Sequence, residues 1–143
     1  MESLNSEEIG VKPTKADRKK FDLDLQYGQK FEDNFLNIIA NSKIEVKTER
    51  GMWLKTGNIA IEYESYGKPS GIMATEADYW IHNLCQDDFV FFSIFTSVEN
   101  LKKLINLNSF KTVSGGDHNA SKMYLIGLNK LISPDTLLQL KDT

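Results

Sequence analysis

Hydrophobic and polar positions along this chain follow two different periods, and the switches between them mark its elements. Phe21, Leu23, Leu25 and Tyr27 alternate with polar residues, and this period of two predicts a short extended segment over 21–27. Gly28 ends the alternation, and a helical period takes over across 29–40. Phe31, Phe35 and Ile38 form one stripe there, widened by Leu36 and Ile39. Glu32 lies on the margin of that stripe, so its carboxylate points toward whatever the helix packs on. Alternation returns over 43–49, with Ile44, Val46 and Thr48 on one face and Glu45, Lys47 and Glu49 on the other. After a glycine-bounded connection holding Met52, Trp53 and Leu54, a second strand over 58–66 sets Ile59, Ile61 and Tyr63 against Ala60, Glu62 and Glu64.

Gly67, Pro69 and Gly71 then predict a turn, and Thr75 and Glu76 open a short helix carrying Tyr79, Trp80 and His82. The hydrophobic run over 89–95 reads as a strand central to a sheet. A helix over 97–108 turns Val98, Leu101, Leu104 and Ile105 inward, and short strands over 110–113 and 123–128 flank a loop. Pro134 with Leu137, Leu138 and Leu140 predicts a last turn or helix lying on the core. Interleaved helices and strands of this kind belong to an α/β or α+β layer fold. Residues 1–20, with five basic and four acidic side chains and Pro13, read as a flexible polar arm ahead of one domain over 21–143. Within the arm, Arg18, Lys19 and Lys20 suit either solvent or phosphate.

Composition narrows this picture. A chain of 143 residues, 41% hydrophobic and 26% charged, suits a single core and is compatible with a homodimer. Met1 leads into polar and acidic residues with no secretory pattern, and no apolar run approaches the ~20 residues that would cross a bilayer. The expected setting is therefore cytoplasmic, without a membrane or a small organic cofactor. Cys85 stands alone, which rules out an internal disulfide and a multi-cysteine zinc site. Seventeen basic against twenty acidic residues leave a net charge of −3. That balance offers no broad basic surface, yet carboxylates that hold divalent cations would contribute to it.

Candidate chemistry centres on Glu45 and Lys47, two apart on a strand and so on one face. A hairpin of 43–49 with 58–64, turning near Trp53, would bring Glu45 opposite Glu62, with Ala60 leaving space beside them. Glu32 would add a carboxylate from the preceding helix. Like-charged carboxylates held together call for a cation, and oxygen-only ligands favour Mg²⁺, with Mn²⁺ able to substitute. Such a metal polarises phosphate and acidifies bound water, while Lys47 orients that water or stabilises the transition state. The plainer reading is a solvated sheet face with cross-strand ion pairs.

The sequence blocks around the pair favour the first reading. They are Glu45-Val46-Lys47, the stretch from Lys55 through Gly57, Asn58 and Ile59 to Glu62, Gly67 through Ile72, and Ala77-Asp78-Tyr79-Trp80. With Gly115-Gly116-Asp117-His118 through Lys122, they resemble small phage and bacterial proteins of the PD-(D/E)XK nuclease superfamily over residues 28–128. The resemblance implies a restriction-endonuclease-like mixed central sheet flanked by helices, and Mg²⁺-dependent cleavage of DNA, with branched or structured DNA among the substrates. Glu45 and Lys47 match the superfamily's Glu-x-Lys element, and Glu32 matches the acidic residue of its first helix. The Asp usually carried by the strand before that element has no counterpart, so Glu62 is the expected replacement ligand. Lys68, Asn58, His118 and Lys122 are the DNA-contact candidates, although turn formation accounts equally well for the glycines beside Lys68. A non-catalytic DNA-binding or assembly protein on the same fold is the alternative.

Overall fold

The computed structural model describes residues 14–141 and separates into two units, with the break between Asn41 and Ser42. The first 13 residues of the expected polar arm lie outside the described residues.

The first unit contributes one long helix, α1 (Lys15–Asn41). Thr14 starts it with a capping box: its hydroxyl accepts from the Asp17 amide (3.1 Å), and its own amide donates to the Asp17 carboxylate (2.8 Å). The helix runs straight through 21–27, where the sequence pattern predicts an extended segment, and across the expected end of the arm at residue 20. Phe21 and Leu25, and Tyr27 and Phe31, are four apart, so a short alternating run also satisfies helical spacing. The Tyr27 and Phe31 rings meet at 4.7 Å, one turn apart, bracketing Gly28. That glycine stays helical despite a cost of about 1 kcal/mol relative to alanine. The helix expected over 29–40 is the second half of α1.

Among the described residues the second unit holds seven strands: β1 (Ile44–Glu49), β2 (Asn58–Ser65), β3 (Lys68–Pro69), β4 (Tyr79–Gln86), β5 (Phe89–Ser97), β6 (Lys111–Gly115) and β7 (Ser121–Gly127). Its helices are α2 (Met52–Thr56), α3 (Val98–Leu107), α4 (Leu128–Leu131) and α5 (Pro134–Leu138). In place of one central sheet, the strands form a three-stranded sheet ordered β1-β4-β5 and a four-stranded sheet ordered β3-β2-β7-β6. The architecture is thus a mixed α/β fold of two sheets with flanking helices. No helix among the described residues is long and apolar enough to cross a membrane.

Three expectations change here. The segments 43–49 and 58–64 do not form a hairpin: β1 pairs in parallel with β4, and β2 lies in the other sheet between β3 and β7. The short helix α2 fills the connection between them, and its C-terminal Gly57, at φ +70°, redirects the chain into the second sheet. The expected helix carrying Trp80 and His82 is instead β4, whose alternate side chains Trp80, His82 and Leu84 are buried. Finally, β5 is an edge strand with Phe89 to Phe92 exposed, rather than a strand central to a sheet.

Other readings match the structure. Ile59 and Ile61 are the buried face of β2, and α3 buries Val98, Leu101, Leu104 and Ile105. Ser97 caps α3 by accepting from the Asn100 amide. These residues join Ile72, Trp80, Leu84, Ile126 and Leu131 in one apolar core between the elements of both sheets. Trp53 is an anchor: its indole N–H donates to the Cys85 carbonyl (2.8 Å) and its ring meets Phe91 edge-on.

Candidate functional site

The parallel pairing of β1 with β4 decides where the charged face of β1 goes. Glu45, Lys47 and Glu49 align with Trp80, His82 and Leu84, the buried face of β4. They therefore turn toward the second sheet, while Val46 on the opposite face is 55% exposed. A cleft of about 290 Å³ opens at this seam, lined by Lys47, Glu49, Ala60, Glu62, Trp80 and His82 among others.

Each carboxylate at the seam has its own donors. Glu49 Oε1 accepts from the Ala60 amide of β2 and from His82 Nε2 (3.0 Å), so one oxygen ties the two sheets together. His82 is 3% exposed, and its Nδ1 lies 3.1 Å from the Trp80 indole N–H. An indole nitrogen only donates, so Nδ1 is the acceptor and Nε2 carries the hydrogen offered to Glu49. Glu62 Oε1 accepts from the Ser70 hydroxyl. Among the described residues, the second oxygens of Glu49 and Glu62 take no hydrogen bond.

Glu45 is engaged differently. Its Oε1 forms an ion pair with Lys47 Nζ at 2.7 Å, and its Oε2 accepts from the Thr75 hydroxyl. Lys47 first, and then Thr75, hold the Glu45 carboxyl below its ordinary range. The Thr75 hydroxyl is itself oriented by the Ala77 amide, 3.2 Å away. Lys47 also lies 5.8 Å from the centre of the Trp80 ring.

The segment between β3 and β4 supplies two of these clamps. Gly71 (φ +51°) approaches β2 so closely that a Cβ there would lie 2.1 Å from the Glu62 carbonyl oxygen. This approach seats Ser70 against Glu62, and the turn that follows, closed by Thr75 N–H on the Gly71 carbonyl (2.9 Å), carries Thr75 to Glu45. The Gly67–Ile72 block thus builds the seam as well as turning the chain.

The structure brings Lys47 and Glu62 into one cleft and joins Glu45 to it through Lys47. The route is across two sheets rather than across the expected hairpin. Glu32 is an exposed residue of α1 in the first unit. Of the DNA-contact candidates, Lys68 is exposed on β3 and His118 is exposed in a tight turn at φ +56°. Asn58 is half-buried at the start of β2, and Lys122 forms an ion pair with Glu64 across β7 and β2 at 2.7 Å, which raises the lysine's pKa. Among the described residues, no three His, Cys, Asp or Glu side chains are gathered as a metal-ligand set. Sequence reasoning passed over Glu49, His82, Ser70 and Thr75. Only Glu49 left a signal, by sharing the Glu45–Lys47 face.

Comparison of the chain with protein-family models, with characterised proteins and with solved structures returns no match.

Proposed function

We propose that this chain is a divalent-metal-dependent DNA endonuclease on a restriction-endonuclease-like core, with its centre at Lys47, Glu49 and Glu62. One observation carries the reading: an ammonium and two carboxylates line the same cleft, and each carboxylate keeps an oxygen with no hydrogen bond among the described residues. Two carboxylates suit Mg²⁺, which keeps several waters and takes further oxygens from phosphate. When bound there, the metal supplies an acidified water and neutralises phosphate charge. Glu45 then has a different role from the ligand its motif implies, because both its oxygens are committed to Lys47 and Thr75. It holds the Lys47 ammonium at the cleft, where that cation stabilises charge building on the phosphate. His82 and the Ala60 amide orient Glu49, and Ser70 orients Glu62.

The test compares cleavage of linear, nicked, flapped and four-way DNA in Mg²⁺ or Mn²⁺ for the wild type, Lys47→Met and Glu62→Gln. Cleavage by the wild type that both variants lose supports the reading. Cleavage unchanged in both variants, or no cleavage of any substrate, sinks it. A second reading, a non-catalytic DNA-binding or assembly protein, draws on the lack of a three-member ligand set among the described residues. It expects DNA binding without cleavage, equal in the presence and absence of metal.

A further inference from the structure

The cleft continues onto one face of the four-stranded sheet, and strand register shows which side chains stand there. Residues paired directly across neighbouring strands share a face. Ala60 and Glu62, which line the cleft, align with Leu125 and Met123 of β7. Those two align in turn with Lys111 and Val113 of β6. Farther along the same face, Lys68 of β3 aligns with Ser65, then Ser121, then Gly115. A Cβ on Gly115 would meet Met123 Cε at 2.5 Å, so this row stands on the same side of the sheet as Met123. All of these residues belong to the second unit.

Lys68 and Lys111 therefore stand on the two edge strands of one sheet face, β3 and β6, with the cleft carboxylate between them. At ~4.8 Å between strands and ~3.4 Å per residue, their backbones lie roughly 20 Å apart along the sheet diagonal. That line passes close to Glu62 and then between Met123 and Leu125. Neither lysine forms an ion pair among the described residues, whereas Lys47, Lys103 and Lys122 each do. Alternation along β7 puts the Lys122–Glu64 pair on the opposite face. Phosphates attract the two ammonium groups, and the apolar ground between them suits sugars and unstacked bases. A duplex keeps its bases inside and has little use for that ground.

We propose that this sheet face binds a single DNA strand, with Lys68 holding a phosphate on one side of the cleft and Lys111 holding another on the far side. The substrate is then unpaired DNA where it crosses Glu62. This assignment rests on the nuclease reading for its ligand, but it is tested by binding and not by cleavage.

Fluorescence anisotropy of the full chain with a labelled oligothymidylate of about ten nucleotides, in EDTA so that no cleavage intervenes, provides the test. The single strand should bind more tightly than a duplex of equal length. Lys68→Ala and Lys111→Ala should each weaken binding at least about threefold at low salt, and each should lower the slope of log affinity against log salt by about 0.7. Lys111→Arg should restore the slope, and Lys103→Ala on α3 should change neither quantity. No binding by the wild type, tighter binding of the duplex or of oligouridylate, or an unchanged salt slope in Lys111→Ala would overturn the proposal. Binding that meets these expectations without cleavage in Mg²⁺ leaves the contact standing and removes the hydrolysis. Cleavage by the wild type with unchanged binding by Lys111→Ala does the reverse.

Discussion

Replacing His82 with phenylalanine tests whether the Trp80–His82–Glu49 chain is a structural unit. The substitution keeps an aromatic ring in a nearly sealed position but removes both ring nitrogens. Two interactions are lost. The Trp80 indole N–H, on a residue 1% exposed, loses the acceptor 3.1 Å away and stays buried without a partner, which costs about 1–3 kcal/mol. The Glu49 carboxylate loses a charge-assisted donor at 3.0 Å, worth about 1.5–3 kcal/mol. Allowing for relaxation, His82→Phe should destabilise the protein by roughly 3–4 kcal/mol, a large fraction of the ~5–15 kcal/mol typical of a domain. Urea unfolding followed by far-ultraviolet circular dichroism measures this without relying on tryptophan emission. Trp80→Phe removes the orphaned donor at its source. The double variant should therefore cost less than the sum of the two single changes, by about 1–2 kcal/mol. Destabilisation below about 1 kcal/mol, or strict additivity in the cycle, would refute the reasoning.

Four further outcomes follow from the same geometry. Gly71→Ala should lose at least about 3 kcal/mol in urea unfolding or fail to accumulate, because the new Cβ meets the Glu62 carbonyl at 2.1 Å in a backbone conformation that already disfavours a side chain. Leu104→Ala, in the core beneath α3, should cost about 2–5 kcal/mol by the same measurement. The Glu45 carboxyl is depressed in the folded state, so its stabilisation is present above its ordinary value of 4.5 and lost as pH falls through the lower folded value. Glu45→Gln should flatten the acid side of the stability–pH curve, and a variant curve parallel to wild type would contradict the Lys47 and Thr75 contacts. Glu49→Gln can keep both hydrogen bonds at Oε1 but not their charge assistance, so it should cost only about 1–2 kcal/mol in urea unfolding while losing Mn²⁺ binding in calorimetric titration.

The sequence made the elements of the second unit largely legible, because each buried face there repeats over several residues. Ile59 and Ile61 marked the inner face of β2, and Val98, Leu101, Leu104 and Ile105 marked that of α3. What it could not supply was strand pairing. Nothing in the alternation of β1 distinguishes a hairpin with β2 from a parallel contact with β4, whose partners lie 35 residues away. Lys47 and Glu62 do line one cleft, but through pairing that no local pattern encodes. Trp80 and His82 read as helical because a strand of alternating buried and half-buried residues, preceded by the Thr75-Glu76 pair, imitates a capped helix at short range. The extended reading of 21–27 failed for the opposite reason. Four alternating apolar residues are too few to separate a strand from the start of a long helix.

The carboxylates of the seam differ in how their charge is met. Glu45 has a cation, Lys47, at 2.7 Å. Glu49 and Glu62 have no lysine or arginine partner among the described residues, and each rests on neutral or histidine donors at a single oxygen. If the seam served only to join two sheets, amides or hydroxyls could satisfy the Ala60 amide, His82 and Ser70 without bringing two negative charges to one cleft. Both carboxylates line that cleft, and each keeps one oxygen that takes no hydrogen bond among the described residues. A divalent cation, if bound there, would use those oxygens. The proposed chemistry therefore rests on those two oxygens in one cleft, with the Glu45–Lys47 pair beside them as the source of positive charge it invokes.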